Sequence, residues 1–277
     1  MTSGRLRGWG RGDGRVCAVM LELEAITMRF GGLTAVDGCG FSVEAGSITG
    51  LIGPNGAGKT TLFNVIAGAL RPTAGAVRFL GEAITRLSPD ARYRRGLVRT
   101  FQIPHEFHRL SARENLMLAA SGQSGESLAA NWLRWGAVRA EEAGLRGRAD
   151  AVLDSLNLGH VADLPAGGLS GGQKKLLEIG RTMMSDARLV LLDEPAAGVN
   201  RTLLRDIEAT IRRLNREHGY TFLLIEHDMG MIERLCGHVV CMAEGRLLIE
   251  GGFAAVRNDP RVLEAYLGER VPVGVDA

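Results

Sequence analysis

Nine consecutive residues, Gly53-Pro54-Asn55-Gly56-Ala57-Gly58-Lys59-Thr60-Thr61, lie between an apolar run, SITGLIG, and a stretch from Lys59 to Ala67 with helical spacing. A strand that enters a glycine-rich turn and leaves it directly as a helix restricts the fold severely. Glycines let successive backbone N–H groups converge on one anion, and the helix start adds the positive end of its dipole. The spacing G-x-x-x-x-G-K-[ST] in this context is that of a phosphate cradle. Lys59 then bridges the outer phosphate oxygens, Thr60 can ligate Mg²⁺, and Thr61 completes the stretch assigned to the phosphates.

Composition sharpens the reading of Lys59. Of 33 basic residues, the only lysines are Lys59, Lys174 and Lys175. A chain that otherwise prefers arginine keeps lysine in its two glycine-rich runs. At Lys59 a compact ammonium fits between phosphate oxygens where a planar guanidinium would not. Lys174 and Lys175 read as a solvated helix face, and no chemistry is assigned to them.

The surroundings predict an α/β fold. LELEAIT and SITGLIG read as strands, Ser88 is placed to cap a helix with Pro89 in its first turn, and SAREN at Ser111 to Asn115 is a capping box. From about residue 122 to 168, β-branched residues thin out and the apolar spacing turns helical, which predicts a helical lobe. Strand and helix then alternate again through ARLVLLDEP, a helix over 202–217, TFLLIEHD, another helix, and a hairpin or meander in HVVCMAEGRLLIEG. Apolar runs separated by helices predict a parallel sheet covered on both faces. A formal net charge of +2 offers no field to draw nucleic acid. Four cysteines without a CxxC pair indicate neither a disulfide framework nor a zinc site. No apolar run reaches the roughly 20 residues of a membrane span. Residues 1–19 read as a disordered tail or an over-extended start, and 269–277 as a C-terminal tail.

Three further runs carry chemistry. LVLLDEP ends an apolar strand in Asp193, which can reach the Mg²⁺ shell, and in Glu194, which can orient and polarise a water. His227, in IEHDMG, ends another buried run and reads either as a group facing the outermost phosphate or as a rim histidine. Gln102, closing RTFQ, has the same two readings. LSGGQKK places Ser170, Gly171 and Gly172 at a helix start with Ser170 as the N-cap, which reads either as a second anion site or as a helix merely capped by that run.

In this order the runs resemble the nucleotide-binding subunit of ABC transporters, over nearly the whole chain after Leu21. GPNGAGKTT matches the Walker A motif, Gln102 the Q-loop glutamine, LSGGQ the signature, LVLLDEP the Walker B motif, AGVN the D-loop and His227 the switch histidine. The resemblance implies a P-loop NTPase fold with a mainly parallel sheet core, an antiparallel β subdomain and a helical subdomain of about 103–168, inside a domain spanning 20–268. It implies that ATP and Mg²⁺ are the cofactors, with Glu194 the catalytic base, His227 and Gln102 assisting, and Mg²⁺ held by Thr60, Gln102 and Asp193. Phe30 falls where an aromatic residue stacks on adenine, and Ser170, Gly171, Gly172 and Gln173 fall where the signature meets ATP held by a second ATPase subunit. One departure is visible: Asn200 stands where most relatives have Asp.

FGGLTAVDG, GLVRTFQ, DEPAAGVN, LLIEHDMG and EAYLG resemble the ATPases of branched-chain amino acid importers, within a wider amide and urea uptake group. That implies integral membrane permease subunits, a second ATPase chain, identical or paralogous, and a periplasmic binding protein, with this chain peripheral on the cytoplasmic face of the inner membrane. IPHEFHRL, with Phe107 and Leu110, reads either as the rim that meets the membrane subunit or as an ordinary loop. The alternatives are a lipopolysaccharide-export ATPase, a soluble mechanoenzyme acting on nucleic acid or ribosomes, and a small-molecule kinase. The last gives no reason for the Ser-Gly-Gly-Gln run or for Glu194.

Overall fold

The computed structural model describes residues 19–100, 106–120 and 135–267, the side chains of 135–138 excepted. The expectations for both tails therefore lie outside the described residues, Val19 apart. The described residues form two sheets. Strands β1 (Val19–Phe30), β2 (Leu33–Cys39), β3 (Ser42–Glu44), β5 (Ala74–Phe79) and β6 (Glu82–Ala83) form an antiparallel sheet in the order β2-β1-β5-β6, with β3 also on β1. The second sheet runs β11-β10-β4-β9-β8-β7, from β4 (Ile48–Ile52), β7 (Leu97–Arg99), β8 (Leu189–Asp193), β9 (Thr221–Ile225), β10 (His238–Ala243) and β11 (Arg246–Gly251). Its neighbours are parallel except for the β10–β11 hairpin.

Strands β4, β8 and β9 are buried along their whole length, which explains why they read as unbroken apolar runs rather than alternations. Successive side chains point to opposite faces. Val190, Leu192, Phe222 and Leu224 enter one core, shared with the helices α5 (Gly171–Met184), α6 (Arg201–His218) and α7 (Met229–Leu235). Leu189, Leu191, Leu223 and Ile225 enter the other, with the antiparallel sheet and α1 (Lys59–Ala67). The helical lobe contains α3 (Ala112–Leu118) and α4 (Trp135–Ser155), which pack on α5 through Leu116, Val152, Leu153 and Leu177. Two short helices, α8 (Phe253–Arg257) and α9 (Pro260–Leu267), follow the hairpin.

Helix α2 (Pro89–Tyr93) corrects one local expectation. Ser88 stands at its N-cap, but the hydroxyl bonds the Asp90 carboxylate instead of a backbone amide. The capping box at Ser111 and Glu114 is present as expected. Arg92 of α2 is 1% exposed and donates to the carbonyls of Val65, Ile66, Thr85 and Leu87, so the last turn of α1 is satisfied by a buried guanidinium. Burial lowers its pKa to about 10.

Candidate active site

Parallel strands bring their C-terminal ends to one edge, and the candidate residues follow from that geometry. The cradle leaves β4 at Gly53 and enters α1 at Lys59. Gly58 has φ +94, and a Cβ there would come 2.5 Å from the Ala35 carbonyl oxygen. Pro54 and Gly58 are half-buried, Gly53 and Ala57 buried, and Asn55, Gly56 and Thr60 exposed on the rim, with Thr61 half-buried behind them. No side chain caps α1, in keeping with a helix start reserved for an anion. Lys59 is buried, and its Nζ donates to the carbonyls of Gly53 (2.6 Å) and Pro54 (2.8 Å).

Asp193 ends β8, two strands from the cradle, and is 5% exposed. Its Oδ2 accepts a hydrogen bond from Arg99 Nη2 at 2.8 Å, while Arg99 Nη1 donates to Asn64 of α1 at 2.5 Å. Sequence reasoning missed Arg99. Its signal was available: it ends the strand-like LVR, three residues before Gln102, where a buried cation needs an acidic partner. Gln102 itself lies outside the described residues.

Glu194 follows immediately. Its amide donates to Ile225 O at 3.0 Å, and its φ of +49 is in the left-handed region that favours glycine. That turn brings Glu194 Oε1 to 3.2 Å from His227 Nε2. Both border a cleft of about 300 Å³ with Arg201 and Glu226. Glu226 was also missed. Its carboxylate, 3% exposed, accepts from the amides of Ala196 (2.6 Å) and His227 (3.0 Å), stapling the turn after Asp193 to the turn after β9. Burial pushes its carboxyl above the ordinary range, against those amide hydrogen bonds and the nearby Lys175. Glutamate beside a histidine after an apolar strand offers no pattern that separates an inward carboxylate from a solvated one.

The second glycine run starts α5. Ser170 Oγ accepts from Gln173 N, and Gln173 Oε1 accepts from Ser170 N at 2.9 Å, a reciprocal cap. The two glycines differ. Gly171 faces open space, whereas a Cβ on Gly172 would overlap the Leu203 side chain of α6. Leu203 N in turn donates to Asn200 Oδ1 at 3.0 Å, so Asn200 caps α6. Asn and Asp cap about equally well, and the departure at this position leaves the loop intact.

Lys174 and Lys175 do not lie on a solvated face. Lys174 Nζ is 2.8 Å from Glu106 Oε1, whose side chain is 4% exposed. Lys175 Nζ donates to the Glu194 carbonyl at 2.8 Å. Burial lowers the Lys175 pKa, opposed by Glu226, Glu178 and Glu194. Beside Glu106, Phe107 is 53% exposed with Arg181 of α5 over its ring at 5.8 Å, and Asn115 holds both the amide and the carbonyl of Phe107. Phe30, at the end of β1, is 46% exposed.

Comparison with known proteins accounts for this arrangement. Residues 36–197 match the ABC transporter family model, and 246–272 match that of the branched-chain amino acid ATP-binding cassette transporter. The chain is 42% identical to the high-affinity branched-chain amino acid transport ATP-binding protein BraF of Pseudomonas aeruginosa, covering 90% of this chain and 98% of that one. It is 39% identical to a probable branched-chain amino acid transport ATP-binding protein LivG of Archaeoglobus fulgidus, over 90% and 95%. Among solved structures, the ADP conformation of an ATP-binding cassette of an ABC transporter superposes with a TM-score of 0.78 at 38% identity, covering 90% of this chain and 99% of that one. With a cradle, a second capped glycine run and an acid-histidine pair on an α/β core, the chain belongs to the ABC transporter family, among its nucleotide-binding, ATP-hydrolysing subunits.

Proposed function

We propose that this chain powers uptake of branched-chain amino acids or related small amides as the ATPase of an importer. The family match at 246–272 and the names of the relatives support an importer over a lipopolysaccharide exporter. The single observation that carries the catalytic reading is the 3.2 Å approach of Glu194 to His227 at the sheet edge that also presents the cradle.

Mg²⁺ fits the donors present. No cluster of three or more His, Cys, Asp or Glu among the described residues could hold a metal alone. A Thr60 hydroxyl and an Asp193 carboxylate are hard oxygens suited to an ion that takes its other positions from phosphates and water. When bound, Mg²⁺ neutralises charge that develops on the phosphates. In the proposed mechanism the amides of Gly53 to Thr61, Pro54 apart, hold the phosphate chain and Lys59 leaves its two carbonyls for the outer oxygens. Phe30 stacks on the base. Glu194 accepts the proton of the attacking water, and His227 and Gln102 hold that water and the outermost phosphate in line. Gln102 would also join the Mg²⁺ shell. Ser170, the amides of Gly171 and Gly172, and Gln173 close on nucleotide held by a second ATPase subunit, identical or paralogous.

The partition into a domain of 20–268 with a helical subdomain of about 103–168 belongs to the same proposal. No helix among the described residues is long and apolar enough to cross a membrane. In this reading, integral permease subunits supply the membrane path, a periplasmic binding protein delivers solute, and this chain sits on the cytoplasmic face of the inner membrane. Nucleic acid has no part. We assign the permease contact to the exposed Phe107 loop and the adjoining groove of about 440 Å³ lined by Tyr93, Leu118 and Arg181. Glu194→Gln tests the catalytic reading. It is expected to keep ATP affinity, stall turnover and trap an ATP-bound dimer on gel filtration; unchanged ATPase activity removes Glu194 from its role.

A further inference from the structure

We propose that Lys175, together with Glu226, is a positioning residue for hydrolysis: the two fix the main chain of Glu194 so that its carboxylate stays against His227. The proposal rests on the reading of Glu194 as the base. Glu194 needs such support, because its φ of +49 is a conformation that a residue with a Cβ adopts at a cost. From one side, Lys175 Nζ donates to the Glu194 carbonyl at 2.8 Å. The same carbonyl accepts from Ala197 N at 3.1 Å, which closes the turn. From the other side, the buried Glu226 carboxylate takes the amide of Ala196 on one oxygen and those of His227 and Asp228 on the other.

The base and its histidine partner thus belong to two loops joined by a single carboxylate. One of those loops is also pinned by an ammonium. Lys175 is half-buried among Glu226, Glu178 and Glu194, so its charge is balanced where it stands. Its hydrogen bond goes to the main chain, so it sets the geometry of the turn and does not engage the Glu194 carboxylate. A lysine also ties this turn to the first part of α5, the helix that Ser170 caps. A shift of that helix moves the main chain of Glu194.

The test uses the full chain assembled with its membrane and ATPase partners, and reads kcat and KM for MgATP in Lys175→Met, Lys175→Arg and Glu226→Gln beside wild type and Glu194→Gln. Loss of the clamp displaces the base without touching nucleotide, and misplacement by an ångström costs up to about 100-fold in rate. Lys175→Met is expected to lower kcat about tenfold with KM within about twofold of wild type. Lys175→Arg, which still presents N–H donors, restores most of kcat. Glu226→Gln, with one acceptor oxygen for three amides, lowers kcat likewise. The proposal is overturned if Lys175→Met turns over within about twofold of wild type, if its KM rises with kcat intact, or if Lys175→Arg is no better than Lys175→Met. Should Lys175→Met fail to assemble, Glu226→Gln decides: normal kcat there also overturns the proposal. A Glu194→Gln enzyme that hydrolyses ATP normally defeats the reading of the base instead, and the two failures are separable in one experiment.

Discussion

Lys174→Met removes the cation that neutralises a buried carboxylate. In the native chain the pair is 2.8 Å apart, with side-chain exposures of 21% for Lys174 and 4% for Glu106. Removing one partner of a fully buried pair costs about 3–5 kcal/mol. Here the Lys174 side chain keeps a fifth of its surface exposed, and His108 Nδ1 remains 3.1 Å from the carboxylate. Solvent screening and that neighbour reduce the expected loss to about 2 kcal/mol. For a domain of this size the corresponding fall in Tm is about 4–8 °C. The pH dependence has a definite sign. Burial pushes the Glu106 carboxyl up, but the hydrogen bond from Lys174, with its charge and further contacts, holds it below the ordinary 4.5. Such a group contributes stability above its unfolded pKa that is lost as pH falls through the folded value. With methionine at 174, burial dominates and the folded pKa moves above the unfolded one. The contribution is then fullest below the unfolded pKa and declines as pH rises through the variant's folded value. Urea titrations from about pH 3 to 8 read both effects, and a Lys174→Met/Glu106→Gln double variant should recover part of the loss. A single variant within about 0.5 kcal/mol of wild type, or a double variant no better than the single, refutes the pairing as described.

Phe107→Asp places a charge on the exposed ring of the loop assigned to the permease; ATPase activity should persist while uptake in vesicles falls, and retained uptake rejects the contact. Gly172→Ala forces a methyl group into Leu203, so a loss of about 1–3 kcal/mol by denaturant titration is expected, relieved when Leu203→Ala is added. Asn200→Asp keeps the cap on α6 and should leave stability within about 0.5 kcal/mol, whereas Asn200→Ala should cost about 1 kcal/mol in the same titration.

Motifs whose spacing is set by backbone geometry were legible in the sequence. The cradle, the apolar strands β4, β8 and β9, the capping box at Ser111 and the N-cap at Ser170 all stand where periodicity and local chemistry put them. Side chains that act across the fold were not. Arg99 meets Asp193 only because β7 pairs with β8, and Glu226 meets Ala196 only because β8 and β9 end together. Charge reads as solvation in one dimension, so the sequence alone puts Lys174 and Lys175 on a solvated face. The rarity of lysine in an arginine-rich chain was the better guide, since all three lysines are engaged by carbonyl or carboxylate oxygens.

Those engagements make α5 the point where the parts of the site meet. Its first residues, Ser170 and Gly171, face outward. Gly172 packs on Leu203, Lys174 holds the loop that carries Phe107, and Lys175 holds the turn that carries Glu194. A rigid helix that touches the three at once cannot shift toward a nucleotide without moving each of them. In the proposed cycle, closure of Ser170 on phosphates bound by the second subunit therefore draws on the loop before α3 through Glu106 and on the base through the Glu194 carbonyl.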